Sequence, residues 1–292
     1  MIETINKRLY TTLPAPIQTV AQKWFYLLNP RLSWTYRKKH DTVDDAFVEL
    51  FFDDRAEYER YRDEFFDSAI TDICLDAQSE VPDRYSVFDA HRNDCLKFYV
   101  LIRKLAPDRV VETGVYNGVS TASILLALAA NGSGHLHSID YSASLAGPDE
   151  PGLAPRQEYY RRDRPSCSET GSAIVPPDRS PGWILPDRLR DRWSLTRGHP
   201  QRELPGLLES VGPIDMFVHD SEHSTSCMLF ELEALWDHLR SGGLVLSSHI
   251  RWNDAFEIFA EEHDCEHGLT TFHYLGYEGK SVPCSTGYIR KP

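Results

Sequence analysis

A glycine-containing loop follows the first predicted strand and offers backbone donors to a ligand. Residues 110–121 read Val-Val-Glu-Thr-Gly-Val-Tyr-Asn-Gly-Val-Ser-Thr. Gly114 permits a tight turn and Gly118 a close backbone approach, just before a predicted helix whose first N–H groups are unpaired. The spacing fits neither G-x-G-x-x-G nor a P-loop, and Glu112 adds negative charge. We therefore expect a ligand with a cationic group.

The second predicted strand ends in an acidic residue, Asp140. After a glycine turn and a crossover helix, an acid at this position is typical of a residue that accepts hydrogen bonds from both ribose hydroxyls of a nucleoside. The loop and Asp140 together predict a nucleoside cofactor.

Alternating helices and strands position these residues from about residue 89 onward. The pattern predicts strands at 109–112, 135–140, 193–197, 214–219 and 244–248, and helices at 98–105, 120–130, 202–208, 226–239 and 255–263. This alternation predicts an α/β fold with a Rossmann-like, doubly wound, mostly parallel sheet. The last two β-rich runs, 269–275 and 286–290, predict an antiparallel hairpin.

Two segments stand apart from this domain of residues 89–292. We expect residues 1–88 to be a helical extension, in which capping boxes at 42–45 and 54–57 precede aromatic residues at helical spacing and predict two consecutive helices. These aromatic residues could cap a substrate or support oligomerisation, although periodic apolar residues more often pack onto a neighbouring core. Residues 141–192 form a proline-rich insertion, which we interpret as a lid because it begins where α/β sheets bind ligands.

The composition excludes several classes of protein. The 44 acidic residues outnumber the 31 basic ones, and the net charge of -13 opposes binding to nucleic acid or anionic lipid. We find no transmembrane segment and no secretory signal, and we expect a cytoplasmic protein. The six cysteines include no C-x-x-C pair, which indicates neither a zinc site nor a disulfide framework.

Residues 89–292 resemble the class I S-adenosylmethionine-dependent methyltransferases, whose first motif has the form of 112–118 and whose sheet ends in an antiparallel hairpin. The similarity is greatest to the small-molecule O-methyltransferase branch (methyltransferase family 24), which includes catechol and macrolide-sugar enzymes and cephalosporin-hydroxylase-like proteins. In that branch an acid and a nearby histidine follow a strand, as Asp220 and His223 do here. Residues 182–186 and the pair Gly242-Gly243 also resemble it.

The resemblance implies S-adenosylmethionine as the cofactor. The glycine loop would lie on the methionine side, Asp140 would bind the ribose, and Tyr141 would pack beside the adenine. His199 is a departure, because many relatives have an acid at that position. The implied cofactor residues are Glu112, Gly114, Tyr116, Gly118, Asp140, Tyr141, His199 and Asp220.

The resemblance leaves open whether a metal takes part. Metal-dependent relatives place a second carboxylate directly after the fifth strand, where this chain has Ser248 and His249. Asp220 alone would be a poor Mg²⁺ site, whereas Asp220 with His249 and Asn253 could hold a softer ion such as Mn²⁺, Fe²⁺ or Zn²⁺. The alternative is that no metal binds.

Without a metal, transfer of a methyl group to oxygen needs a base, because the acceptor hydroxyl must lose its proton. Histidine suits this task near neutral pH. His219, His223 and His249 follow strands that are neighbours in this family's sheet. We interpret Asp220, His223 and His249 as the candidate catalytic residues, with His249 or His223 as the base; another histidine could be a packed core residue or orient Asp220.

We therefore expect a methyltransferase that acts on a hydroxyl of a small molecule or a glycan and that could form homo-oligomers. The glycan acceptor follows from family analogy alone. Two alternatives remain, a non-catalytic S-adenosylmethionine-binding module and a metal-dependent hydroxylase or hydrolase. An NAD-dependent oxidoreductase is disfavoured because the dinucleotide fingerprint is missing.

Overall fold

Helices and strands alternate along the domain, after three N-terminal helices. A computed structural model describes residues 45–81, 87, 92–140, 175–176, 178–250, 253–275 and 281–292. The helices are α1 Asp45–Phe51, α2 Arg55–Asp67, α3 Ile70–Glu80, α4 Arg92–Leu105, α5 Val119–Asn131, α6 Asp187–Arg190, α7 Pro200–Val211, α8 Thr225–Trp236 and α9 Ala255–Glu262. The strands are β1 Arg109–Thr113, β2 His135–Asp140, β3 Trp193–Arg197, β4 Ile214–His219, β5 Leu239–Ser247, β6 Glu266–Leu275 and β7 Ser281–Arg290.

Some predicted features lie outside the described residues. These are the capping box at 42–45, Tyr141, and residues 142–174 of the predicted lid. The end of that insertion is described, and it contains the short helix α6.

One seven-stranded sheet with the order β3-β2-β1-β4-β5-β7-β6 organises the domain. Strands β1 to β5 are parallel, and β7 runs antiparallel between β5 and β6. Val111 of β1 lies opposite His137 on one side and Phe217 on the other. The predicted Rossmann-like sheet, mostly parallel with an antiparallel C-terminal hairpin, is confirmed.

The two faces of the sheet bury separate apolar clusters, because successive side chains of a strand point to opposite faces. Val110 packs with the N-terminal helices, α4 and α5, whereas Val111 packs with residues of α7, α8 and α9. α5 begins and ends at glycines with positive φ, Gly118 and Gly132. The carboxyl ends of the parallel strands therefore form one edge between two layers of helices.

The N-terminal segment contains three described helices where two were predicted. Asp54 caps α2, since its side chain accepts from the amide of Ala56. The helix then ends at Ser68, whose hydroxyl donates to the carbonyl of Phe65 and accepts from the amide of Ile70. Such local hydrogen bonds from serine compete with a continuous helix.

The predicted helix 226–239 ends earlier than expected, and the fifth strand begins earlier. α8 stops at Trp236, and Leu239 already pairs with Ile214 of β4. The carbonyl of His238 accepts from the amide of Ile214, so pairing with the neighbouring strand overrides local helix preference here. A shift in register between Ile214 and Met216 accommodates the early start of β5.

The N-terminal helices pack into the main core. The rings of Phe51 and Tyr288 lie 5.2 Å apart, edge to face, which joins α1 to β7. Buried Lys97 of α4 donates to the hydroxyls of Thr270 and Thr286, which joins α4 to the C-terminal hairpin. These contacts favour the packing interpretation of the aromatic residues over a cap on a substrate.

Four of the six cysteines lie in well-packed parts of the described chain. Cys74, Cys95, Cys227 and Cys265 are buried, and none of these four is in a disulfide. Burial raises the pKa of the Cys227 and Cys265 thiols, which disfavours reactive thiolates. None of the described helices has the length and apolar character that a membrane crossing requires.

The packing of α1 predicts that truncating its buried face destabilises the whole domain. Phe47 is 1% exposed and Leu50 is 36% exposed on the same helix. Phe47→Ala should lower the free energy of unfolding by about 3 to 5 kcal/mol, because it leaves a cavity in the core. Leu50→Ala is the matched control and should cost about 1 kcal/mol or less.

Denaturant unfolding measures both variants. A single transition that moves to lower denaturant in Phe47→Ala supports one shared core. An unchanged midpoint for the main transition would show that α1 folds apart from the sheet.

Candidate functional site

The glycine loop between β1 and α5 is fastened to Asp140. One carboxylate oxygen of Asp140, Oδ2, accepts from the amides of Val115 and Tyr116, each at 2.7 Å. Tyr116 has φ of +53°, a left-handed conformation that non-glycine residues rarely adopt. Asp140, predicted as the ribose ligand, therefore also shapes the loop that follows β1.

The two glycines of the loop lie against other parts of the chain. A Cβ at Gly114 would overlap the backbone carbonyl of Asp220, and a Cβ at Gly118 would lie 2.8 Å from the Cα of Gly182. Close approach at Gly118 was predicted for a ligand. In the structure this requirement for glycine comes from contact with residues 182–185, at the end of the predicted insertion.

This end of the insertion covers the loop through polar contacts. The amide of Gly182 donates to the carbonyl of Tyr116, and the indole N–H of Trp183 donates to Oδ1 of Asn117 at 2.8 Å. The Nδ2 of Asn117 is buried and has no partner among the described residues. The segment 182–186 was predicted to belong to the family's pattern, but Asn117 was not predicted, and its only sequence signal is an amide side chain inside a glycine turn.

Glu112 lies below the loop and is fully buried. Its carboxylate accepts from the hydroxyls of Ser120, Thr121 and Ser138, which join β1 to α5 and β2. Burial raises the pKa of Glu112 to about 7, although the three hydroxyl donors partly oppose that shift. The predicted methionine-side residue is thus engaged with protein hydroxyls.

The carboxyl ends of β4 and β5 bring together three candidate metal ligands. Asp220, His223 and His249 each place a ligand atom within 4.8 Å of the other two. Oδ1 of Asp220 lies 3.7 Å from Nε2 of His223, and the rings of His223 and His249 lie 5.0 Å apart. Burial lowers the pKa of His223, which favours a neutral imidazole despite the neighbouring Asp220.

A buried glutamate of α8, Glu231, supports this edge from below. Its carboxylate accepts from Thr113 at 2.6 Å, from Nδ1 of His219 at 2.8 Å and from Ser221 at 2.7 Å. Burial alone would raise the pKa of Glu231, but His219 and the hydroxyl donors outweigh that effect and lower it. Glu231 was not predicted from the sequence.

His219 lies between Glu231 and the cluster of Asp220, His223 and His249. Its ring packs edge to face on His223, with centroids 5.1 Å apart. Its Nε2 is buried and has no hydrogen-bond partner among the described residues. A row of neighbouring side chains therefore runs from the core to the strand ends and consists of Glu231, His219, His223 and His249.

The structure gives Asn253 a different role from the predicted metal ligand. Its Nδ2 donates to the carbonyl of His223 at 2.8 Å, and its Oδ1 accepts from the amide of Ala255 at 2.8 Å. Because both ends of the amide are engaged, Asn253 holds the backbone at His223 and begins α9.

His199 lies two residues beyond β3 and caps α7. Its Nδ1 accepts from the amide of Gln201 at 3.3 Å. Burial lowers the pKa of His199, so the ring is neutral near pH 7. The predicted contact of His199 with adenine would therefore have to use ring atoms other than Nδ1.

Comparison with known families follows the same region of the chain. Residues 111–248 match the family model described as a methyltransferase domain. This range contains the glycine loop, Asp140, Asp220 and His223. A comparison with curated protein sequences gives no match.

Several solved structures are distant likenesses of the chain. The O-methyltransferase from Bacillus cereus, in complex with S-adenosylhomocysteine, is 13% identical, with 85% of this chain and 96% of that one covered and a TM-score of 0.44. The O-methyltransferase TomG from Streptomyces achromogenes, in complex with S-adenosylmethionine, is 15% identical, with 77% and 91% covered and a TM-score of 0.45. The methyltransferase PaMTH1 from Podospora anserina is 13% identical, with 77% and 88% covered and a TM-score of 0.44. Nothing about activity follows from likenesses this distant.

The contact between Gly114 and β4 predicts a steric requirement for glycine. Gly114 and Gly132 both have positive φ, but a Cβ at Gly132 would have no atom within 4 Å. Gly132→Ala should therefore cost about 1 to 2 kcal/mol, for the left-handed backbone alone. Gly114→Ala should cost clearly more, because it also displaces Asp220. Thermal or denaturant unfolding compares the two, and equal losses would contradict the predicted overlap.

Buried Glu112 predicts a specific pH dependence of stability. Because its pKa in the folded protein is about 7 and its ordinary value is 4.5, the folded state binds this proton more tightly than the unfolded state. Its contribution to stability is therefore greatest below pH 4.5 and falls by at most about 3 kcal/mol as the pH rises to 7.

Glu112→Gln should remove this slope, so the free energy of unfolding of the variant relative to wild type should increase from pH 5 to pH 8. Exposed Glu209→Gln is the control and should leave the difference constant. A constant difference for Glu112→Gln as well would show that Glu112 is ionised throughout this range.

Proposed function

We propose that the chain, whose residues 111–248 match a family model described as a methyltransferase domain, transfers a methyl group from S-adenosylmethionine to a hydroxyl of a small molecule or glycan. The observation that carries this proposal is the family match over the glycine loop and the strand ends. The acidic composition supports a small-molecule acceptor over a nucleic acid.

The cofactor side of the proposed reaction is the loop after β1. Backbone N–H groups at the start of α5 suit the carboxylate of a methionine moiety, since helix N-termini bind anions. Asp140 suits the ribose, and its contacts to Val115 and Tyr116 would set loop and nucleoside in one register. Asp220 supplies negative charge where the sulfonium of the donor would lie.

The acceptor side of the proposed reaction is the cluster of Asp220, His223 and His249. A methyl transfer needs the acceptor oxygen, the methyl carbon and the sulfur in line, and holding two reactants so can supply much of the rate enhancement. The acceptor hydroxyl also has to lose its proton. The imidazoles of this cluster lie at the strand ends and would accept that proton.

The same cluster favours a second candidate function. Two histidines and one carboxylate are the ligand set of non-haem iron oxygenases, so a metal-dependent hydroxylase is the alternative reaction. That reaction would proceed without S-adenosylmethionine and would stop when a chelator is added. Methyl transfer would instead consume one S-adenosylmethionine for each methylated product.

Calorimetric titration with S-adenosylmethionine, S-adenosylhomocysteine and NAD tests the cofactor. We expect binding of the two sulfur nucleosides and none of NAD. Asp140→Asn keeps an oxygen for the loop amides but cannot accept from both ribose hydroxyls, so it should weaken binding by about 1 to 3 kcal/mol. Exposed Asp191→Asn is the matched control and should bind normally.

Unchanged affinity in Asp140→Asn would remove Asp140 from the ribose site. Absence of binding to either sulfur nucleoside in the wild-type protein would overturn the proposed function. Binding without methylation of any compound in a broad panel of hydroxyl acceptors, followed by mass spectrometry, would favour a non-catalytic module.

A further inference from the structure

The spacing of Asp220 and His223 fits a shared ion better than a direct hydrogen bond. Their nearest atoms lie 3.7 Å apart, beyond the range of a side-chain hydrogen bond. Two ligands each about 2.1 Å from a metal lie roughly 3.0 Å apart in an octahedron and 3.4 Å apart in a tetrahedron. With the third ligand atom inside 4.8 Å, small side-chain rotations would complete such a set.

His249 is held in an unfavourable backbone conformation that places it in this set. Its φ is +54°, in the left-handed region that costs a non-glycine residue about 1 to 2 kcal/mol. Conformations of this kind persist where the surrounding structure enforces them, and they concentrate at functional sites. Glycine would fit the turn without this cost, but it would not supply an imidazole.

His223 is also fixed before any ligand arrives. Asn253 holds its backbone carbonyl, and the rings of His219 and His249 pack on it edge to face. His219 is oriented in turn by Glu231. Side chains that fix the orientation of metal ligands in this way typically raise metal affinity.

We propose that Asp220, His223 and His249 bind a first-row transition-metal dication in preference to Mg²⁺, with Glu231, His219 and Asn253 as positioning residues. This inference deepens the proposed function, because the ion would lie at the acceptor side of the same site.

The chemistry of the donors sets the preference. Mg²⁺ takes oxygen ligands in a strict octahedron, and this cluster offers only one carboxylate. Imidazole nitrogen suits Zn²⁺, Co²⁺, Fe²⁺ and Mn²⁺, and three protein ligands leave coordination positions open for an exchangeable oxygen ligand. Fully buried Glu231, which lies behind His219, adds negative charge on the protein side.

The test uses the full chain, stripped with chelator and titrated with Co²⁺ alone, in the absence of any nucleoside. We expect one equivalent to bind, with visible absorption bands that report nitrogen and oxygen ligands, and with no displacement by a large excess of Mg²⁺. His249→Gly removes one ligand and relieves the backbone strain, so it should remain folded and bind Co²⁺ at least about 100-fold more weakly.

Asp220→Asn is the second variant and should weaken Co²⁺ binding as well. His135→Ala is the control, because His135 begins β2 at the opposite edge of the sheet, beside Ser194. Full Co²⁺ affinity in His249→Gly, displacement by Mg²⁺, or no uptake by the wild-type protein would overturn the proposal and leave these histidines as proton acceptors.

The outcome is separable from that of the proposed function. Nucleoside binding without Co²⁺ binding would remove the metal site alone. Co²⁺ binding without any binding of S-adenosylmethionine or S-adenosylhomocysteine would overturn the methyltransferase proposal and support the metal site.

Discussion

The close approach of the turn after β1 to the end of β4 is the constraint on which the site depends. Gly114 has no Cβ and so lies against the carbonyl of Asp220, while the amide of Asp220 donates to the carbonyl of Thr113. β1 and β4 are adjacent strands near the middle of the sheet. This backbone contact therefore fixes the glycine loop relative to Asp220, an alignment that the proposed in-line transfer would require.

Two fully buried carboxylates below this edge have pKa values that shift in opposite directions. Glu112 is met by three hydroxyls, and burial still raises its pKa to about 7. Glu231 is buried as deeply, but an imidazole donor joins its hydroxyl donors, and its pKa falls below the ordinary value. A hydroxyl only partly offsets the loss of water, whereas a histidine can add positive charge. Glu231 can therefore remain ionised and orient His219.

Local sequence patterns predicted most of the strands but not the contacts between elements. The runs 135–140, 193–197 and 214–219 combine apolar residues with a polar residue at the carboxyl end, and they match β2, β3 and β4. The predicted end of α8 was wrong, because the pairing of Leu239 with β4 determines where the helix stops. Glu231 had one signal, its position between Met228 and Leu235 on the buried face of α8. No pattern in the sequence indicated that the side chain of Asn253 would donate to a backbone carbonyl.

The left-handed backbone conformations of the described non-glycine residues fall into two groups. Four non-glycine residues have positive φ, namely Ala106, Tyr116, His249 and Asp264. Ala106 and Asp264 follow the ends of α4 and α9, where a left-handed residue commonly terminates a helix. Tyr116 and His249 end no helix, and each lies at the carboxyl edge of the sheet. Glycine would relieve the strain at both positions, but it would remove the side chain. Tyr116 lies on the cofactor side of the proposed methyl transfer, and His249 lies on the acceptor side.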